Sequence, residues 1–174
     1  TNFGANTSRT ITWVANDSTA DSAGATTTLN ITAVNDRPFL GDVVTTVSYI
    51  ANAGPTVLSD ALTVSDVDSA NLVSATVRIS GGTFAGDGDV LAATTAGTSI
   101  TASYDAANET LVLTGSDTLA HYQQVLRTVS FSSTSPRPTD FGLYPSRTIE
   151  WQVNDGTSSS ASFQTRVDYS VGSS

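Results

Sequence analysis

Short runs of alternating apolar and polar residues, separated by clusters of turn formers, occupy most of the chain. Residues 8–15 place Thr10, Thr12 and Val14 on one face and Ile11 and Trp13 on the other, the period-2 pattern of a half-buried strand. After a polar turn from Asn16 to Gly24, residues 25–33 resume the alternation with Thr27, Leu29 and Ile31, so the two runs predict a hairpin. Val34-Asn35-Asp36-Arg37-Pro38 then breaks the pattern, because proline removes a ladder donor and restricts the residue before it. This stretch reads as a linker. Strand-like runs follow at 43–50, 61–65, 72–79, 99–104 and 110–113, punctuated by Asn52-Ala53-Gly54-Pro55, Asp66-Val67-Asp68, a glycine-rich stretch from Gly81 to Asp89, and Asp105-Ala106-Ala107-Asn108.

One segment has helical spacing. Ser116 or Asp117 is placed to cap a short helix with Leu119, Tyr122 and Leu126 on one face. Residues 127–132 return to a strand, 133–145 form a loop with three prolines, and 147–153 with 161–169 predict a closing hairpin. Eight or nine short strands and one helical turn predict an all-β, antiparallel β-sandwich.

The closing hairpin repeats the opening one. Thr1-Asn2-Phe3-Gly4 and Ser8-Arg9-Thr10-Ile11-Thr12-Trp13-Val14-Ala15-Asn16-Asp17 return, in register and without a gap, as Thr139-Asp140-Phe141-Gly142 and Ser146-Arg147-Thr148-Ile149-Glu150-Trp151-Gln152-Val153-Asn154-Asp155. The two tryptophans of the chain fall on each other, 138 positions apart. That period is a whole small domain, too long for a solenoid repeat. Residues 1–33 therefore read as the closing hairpin of a preceding, incomplete repeat, 34–170 as a complete repeat, and 171–174 as a tail.

Composition narrows the function. The 174 residues carry a formal net charge of -9 with no lysine, and Glu109 and Glu150 are the only glutamates among 16 acidic residues. Nothing here would neutralise nucleic-acid phosphates. Aspartate is a turn residue and a hard oxygen ligand, so the bias suits polar loops that bind Ca²⁺. Cysteine is absent, which excludes disulfides and thiolate metal sites. No run of about 18 apolar residues is present, so membrane insertion is not expected, and a secretion signal would lie outside these residues.

Several motifs in order carry a family resemblance: Leu62-Thr63-Val64-Ser65-Asp66-Val67-Asp68, the run Ser74 to Gly82, Ser103-Tyr104-Asp105, Leu126 to Phe131, Val153-Asn154-Asp155-Gly156, and the linker Ala33 to Pro38. Together they resemble the cadherin-like repeats of giant bacterial surface proteins and adhesins, over roughly residues 33 to 170. The resemblance implies an Ig-like sandwich serving as one bead of a long extracellular string, with Ca²⁺ between beads. In such repeats the ligands come from an Asn-Asp-x-Pro linker and an Asp-x-Asp turn, onto which Asn35, Asp36, Asp66 and Asp68 map. The tail Ser170 to Ser174 departs from the pattern, having neither Asn nor Asp.

Topology points to the same place. If the linker joins at one pole, the first strand leaves it and 61–65 returns, bringing Asp66 and Asp68 back; the partner of the last strand ends there too, bringing Asn154 and Asp155. Asp36, Asp66, Asp68 and Asp155 are therefore expected to converge, and carboxylates so gathered repel unless a cation with 6–8 oxygen ligands joins them. Turn chemistry alone is the competing explanation for these residues.

Other candidates are weaker. Gly81 to Asp89 resembles one turn of a calcium-binding β-roll, but a single copy with the wrong spacing reads as a flexible loop. His121 reads as a surface residue with no motif partner, and Asp105 with Glu109 as a carboxylate pair on a hairpin tip without a cleft. No enzyme activity is expected. Trp13 and Trp151 alternate in phase with isoleucines and are expected in cores, while Tyr104, Tyr122, Phe141 and Tyr144 are candidate exposed aromatics. The expected role is a structural extender repeat of a secreted cell-surface protein, with neighbouring repeats or other copies of the chain as partners. A carbohydrate-binding module of the same fold, gripping an exopolysaccharide or host glycan, is the alternative. The orphan hairpin is expected to lie on the complete repeat or to complete a sheet in a neighbouring molecule.

Overall fold

Alternation on three long strands builds the core. In the computed structural model, which describes residues 6–170, β7 (Asn71–Gly81) buries Ala75, Val77 and Ile79, β10 (Thr110–Thr118) buries Leu111 and Leu113, and β12 (Ser146–Asn154) buries Ile149, Trp151 and Val153. These strands are adjacent in a six-stranded sheet ordered β4-β13-β12-β7-β10-β9, completed by β4 (Thr46–Ile50), β9 (Thr101–Asp105) and β13 (Phe163–Ser170). A three-stranded sheet of β5 (Thr56–Val57), β11 (Ser130–Ser133) and β8 (Asp89–Ala92), and the pair of β3 (Phe39–Gly41) with β6 (Thr63–Ser65), supply other walls. Phe131 of β11 meets Tyr49 of β4 edge-to-face at 5.0 Å between ring centroids, joining the sheets through one core. The fold is all-β and sandwich-like, with thirteen strands among the described residues.

Three details depart from expectation. The sheet is not wholly antiparallel, because β4 pairs with β13 in parallel, Val47 opposite Val167. The short strands β3, β5 and β8, of two to four residues, are too brief to show a period. Helix α1 (Leu119–Leu126) is capped by Thr118, whose Oγ1 accepts from the His121 N–H, one residue beyond the expected caps; Tyr122, Val125 and Leu126 form its buried face. Among the described residues no helix is long and apolar enough to cross a membrane.

The opening hairpin forms as expected, but it is bare. Among the described residues β1 (Ser8–Trp13) and β2 (Ala25–Asn30) pair only with each other, and every residue of both is exposed. Trp151 is 0% exposed, whereas Trp13 is 60% exposed. The expectation that both tryptophans lie in cores fails for Trp13, because no second layer covers β1, and the hairpin does not lie on the complete repeat.

The core also encloses a charge. Arg147, at the start of β12, is fully buried. Its Nε donates to Asp89 Oδ2, Nη2 to the Pro138 carbonyl at 2.6 Å, and Nη1 to the Tyr144 carbonyl at 3.2 Å. Tyr169 donates its hydroxyl to Asp89 Oδ1 at 2.8 Å and presents its ring face to the guanidinium. The glycine-rich stretch is thereby tied down: Asp87 and Asp89 are buried, and Ser133 Oγ donates to the Asp87 carbonyl at 2.6 Å. Gly82 is required where this stretch leaves β7, since at φ 78° an added Cβ would fall 2.0 Å from the Ser146 carbonyl oxygen.

Arg147→Met is expected to lower the unfolding free energy by about 3–5 kcal/mol, because it leaves the Asp89 carboxylate buried without its partner. Arg147→Met combined with Asp89→Leu should recover much of that loss, and urea unfolding of both variants checks the pair.

Candidate metal centre at the linker

The linker is anchored by its proline. Pro38 is buried and leads into β3, which pairs antiparallel with β6 so that Phe39 faces Ser65. The residue after Ser65 is Asp66, so the sheet itself returns the Asp-Val-Asp turn to the linker. Asp66 Oδ1 accepts from the Asp68 N–H at 3.0 Å and the Ser69 N–H at 2.8 Å, closing the turn locally. Asp68 Oδ2 accepts from the Asp36 N–H at 3.0 Å. From the far end of β12, Asp155 Oδ1 accepts from Thr157 and Ser158 N–H at 2.6 and 2.7 Å, and its Oδ2 accepts from Asn35 Nδ2 at 2.9 Å.

At the linker Asn35 contacts Asp155 and Asp36 contacts Asp68, whereas the expected convergence of the Asp36, Asp66, Asp68 and Asp155 carboxylates on one point is not seen among the described residues. They meet in pairs: Asp36 joins through its backbone, its side chain lying on an exposed residue. Among the described residues, no three acidic, imidazole or thiol side chains close around one point. Burial works to raise the Asp155 carboxyl, but hydrogen bonds from Ser158, Asn35 and Thr157 outweigh it and hold the group below the ordinary aspartate value.

Two oxygens stand apart. Asp66 Oδ2 and Asp68 Oδ1 are buried and have no hydrogen-bond partner among the described residues. An acceptor-only, charged oxygen removed from water without a donor is costly, and native structures rarely leave one. Both belong to carboxylates whose other oxygen is held by backbone N–H groups, so their orientation is set. Hard oxygens of this kind are the donor type that a calcium-type cation takes.

No family model and no curated protein matches this sequence.

Elsewhere the structure revises the sequence reading. His121 Nδ1 lies 2.7 Å from Asp117 Oδ1, a partner four residues back on the helix entrance. Tyr122 is buried with its hydroxyl on the Gly115 carbonyl, and Tyr104 is half-buried with its hydroxyl on the Asp89 carbonyl, so neither is an exposed platform. Phe141 is 80% exposed.

Asp105 and Glu109 do not act as a pair. Asp105 turns back onto its own hairpin, accepting from Ala107 N–H and Asn108 Nδ2 at 2.9 and 2.6 Å. Glu109 instead borders an open groove of about 640 Å³ with Phe84, Asp87, Asp89 and Thr134, where a tip without a cleft was expected. Its carboxyl is pushed up to about 7, first by burial, then by repulsion from Asp87 and Asp89, with Arg147 opposing. The motif Gly86-Asp87-Gly88-Asp89 was visible in the sequence; that it meets Glu109 and Arg147 across the fold was not.

A carboxyl raised in the folded state binds more protons there than in the unfolded chain, so stability falls as pH rises from about 4.5 toward about 7. Glu109→Gln is expected to raise the melting midpoint at pH 8 and leave it unchanged near pH 4. Melts across that range check the sign.

Proposed function

We propose that residues 34–170 are a cadherin-like structural extender repeat of a secreted cell-surface protein, with the linker junction stiffened by Ca²⁺. The observation that carries this reading is the pair of buried oxygens without a partner among the described residues, Asp66 Oδ2 and Asp68 Oδ1, the second on a carboxylate whose other oxygen accepts from the linker's Asp36 N–H. In this role Asp66 and Asp68 hold the cation, with Asn35, Asp36 and Asp155 completing or orienting the set. Ca²⁺ then neutralises the turn and pins the linker to the sandwich, so that a neighbouring bead keeps a defined angle. Affinities of about 10⁻⁴–10⁻³ M are typical of extracellular sites, which makes rigidity report on the external medium. The role needs neighbouring repeats as partners and no catalysis. The net charge of -9 without lysine suits neither nucleic acid nor an anionic membrane surface.

One observation favours the second reading, a glycan-binding module. Phe141 and Arg137, whose guanidinium lies 4.9 Å from the ring centroid, line an open pocket of about 510 Å³ with Asn52 and Tyr169. An exposed aromatic ring bordering an open pocket is a stacking surface for a sugar.

Calcium titration separates the two. Ca²⁺ at a hundredfold excess over its dissociation constant should stabilise the fold by about 2.7 kcal/mol, seen as a higher melting midpoint. Asp66→Asn with Asp68→Asn should abolish the rise and melt no lower than the parent in chelator. A melt unmoved by 10 mM Ca²⁺, roughly ten or more times those affinities, removes the metal, and a glycan-array signal lost in Phe141→Ala would then select the module.

A further inference from the structure

We infer that the β1–β2 hairpin is a closing element whose partner is a second sandwich of this same kind, one that lacks its own closing hairpin. It fills the slot between the partner's equivalents of β4 and β7, and Arg9 seats on the partner's equivalent of Asp89. The inference deepens the extender reading and rests on its array, but not on calcium.

The two hairpins match in structure as well as sequence. Trp13 Nε1 donates to Thr27 Oγ1 at 3.1 Å, and Trp151 Nε1 donates to Thr165 Oγ1 at 3.1 Å. The Ala15 N–H donates to Ser22 Oγ at 3.0 Å, and the Val153 N–H to Ser160 Oγ at 3.1 Å. Isolated bridges Asn16 to Asp21 and Asn154 to Ser159 close the two loops alike. Asp17 Oδ1 accepts from Thr19 and Ala20 N–H as Asp155 Oδ1 does from Thr157 and Ser158.

What differs is the surroundings. The second hairpin bonds outward on both edges, β12 to β7 with Trp151 opposite Val77, and β13 to β4 with Val167 opposite Val47. Among the described residues the first has neither neighbour. Ile149 and Val167 are fully buried, while their counterparts Ile11 and Leu29 are 40% and 52% exposed.

Arg9 gives the inference its chemistry. Arg147 is buried in a cage of two carboxylates, Asp89 bonded to it and Asp87 at 3.9 Å, with backbone carbonyls and two rings. Arg9 occupies the same place in its hairpin, yet it is exposed and, among the described residues, bonds only the Ser8 carbonyl next to it. An arginine here has a use where a hairpin closes over a buried aspartate.

The slot in residues 34–170 is not the home of this hairpin. It is already filled by β12–β13, which is tethered to it and pairs with both β7 and β4. The linker at Val34 follows the first hairpin directly, as it would follow the last strand of a preceding bead.

The test supplies that partner in cis. Residues 34–138 are fused directly before Thr1 of the intact chain, so that Thr1 takes the place of Thr139. The fusion still has only Trp13 and Trp151. In chelator, hydrogen exchange of the two indole N–H groups is followed by NMR, and cleavage after Arg9 by limited trypsin digestion. In the parent chain Trp13 should exchange rapidly and Arg9 should be cut. In the fusion Trp13 should gain at least about a hundredfold protection and Arg9 should resist cleavage. Arg9→Met should reverse the Trp13 protection, and Asp89→Asn in the added segment alone should reverse both changes, while Arg9→Met in the parent chain leaves its melting midpoint unmoved. A control with residues 34–170 fused before Val34 shows whether the added strands fold when given β12–β13. If that control folds and Trp13 of the fusion stays unprotected, the inference is overturned. A parent chain that already shields Trp13 by self-association as concentration rises would also overturn it, in favour of a second copy. The calcium titration bears on the junction alone, so either result can fail without the other.

Discussion

A single buried guanidinium constrains more of this fold than any apolar contact. Arg147 is fully enclosed, and an enclosed charge is tolerated only when a counter-charge and acceptors meet its donors in good geometry. Those acceptors come from separate parts of the chain: Asp89 from the glycine-rich stretch, and the Pro138 and Tyr144 carbonyls from the proline-rich loop. Tyr169 of β13 bonds the same carboxylate. Two loops and the last strand must therefore arrive together, and the depth at which the closing hairpin sits is set with them. The cost appears nearby, where burial and the carboxylates gathered for the arginine push the Glu109 carboxyl up to about 7.

The same strand connects this cluster to the linker. β12 begins at Ser146, beside Arg147, and ends at Asn154, beside Asp155; nine residues of strand span roughly 26 Å. One pole is thus closed by a buried ion pair complete within the chain. The other holds Asn35, Asp66, Asp68 and Asp155, with two carboxylate oxygens that the described residues leave without donors. The contrast in satisfaction is what separates a structural polar cluster from a candidate site, since buried polar groups are otherwise paired.

Much of the linker geometry was legible because it follows from connectivity. Asp66 returns to Pro38 once 61–65 is a strand antiparallel to the one after the linker, and Asp155 comes there once the last two strands are a hairpin. Neither step needs side-chain detail. Arg147 was not legible in this way: at the edge of an alternating run it looks like any strand-terminal arginine, and its partner lies 58 positions away in a stretch whose glycines suggest mobility. The parallel pairing of β4 with β13 escaped for a similar reason, because alternation specifies which face is buried and not which edge is joined.

The two hairpins show most directly what each level decides. Local sequence alone determined both of them: the same alternation, the same polar turn and the same tryptophan-to-threonine hydrogen bond arise twice, because pairing register and turn closure depend on residues within about 25 positions of each other. Only the tertiary structure decided their fates. Burial is a property of what covers a face, so Trp151, with β7 beside its strand and the other sheets across the core, is sealed from water, while Trp13, with the same neighbours in sequence and none of those in space, is 60% exposed.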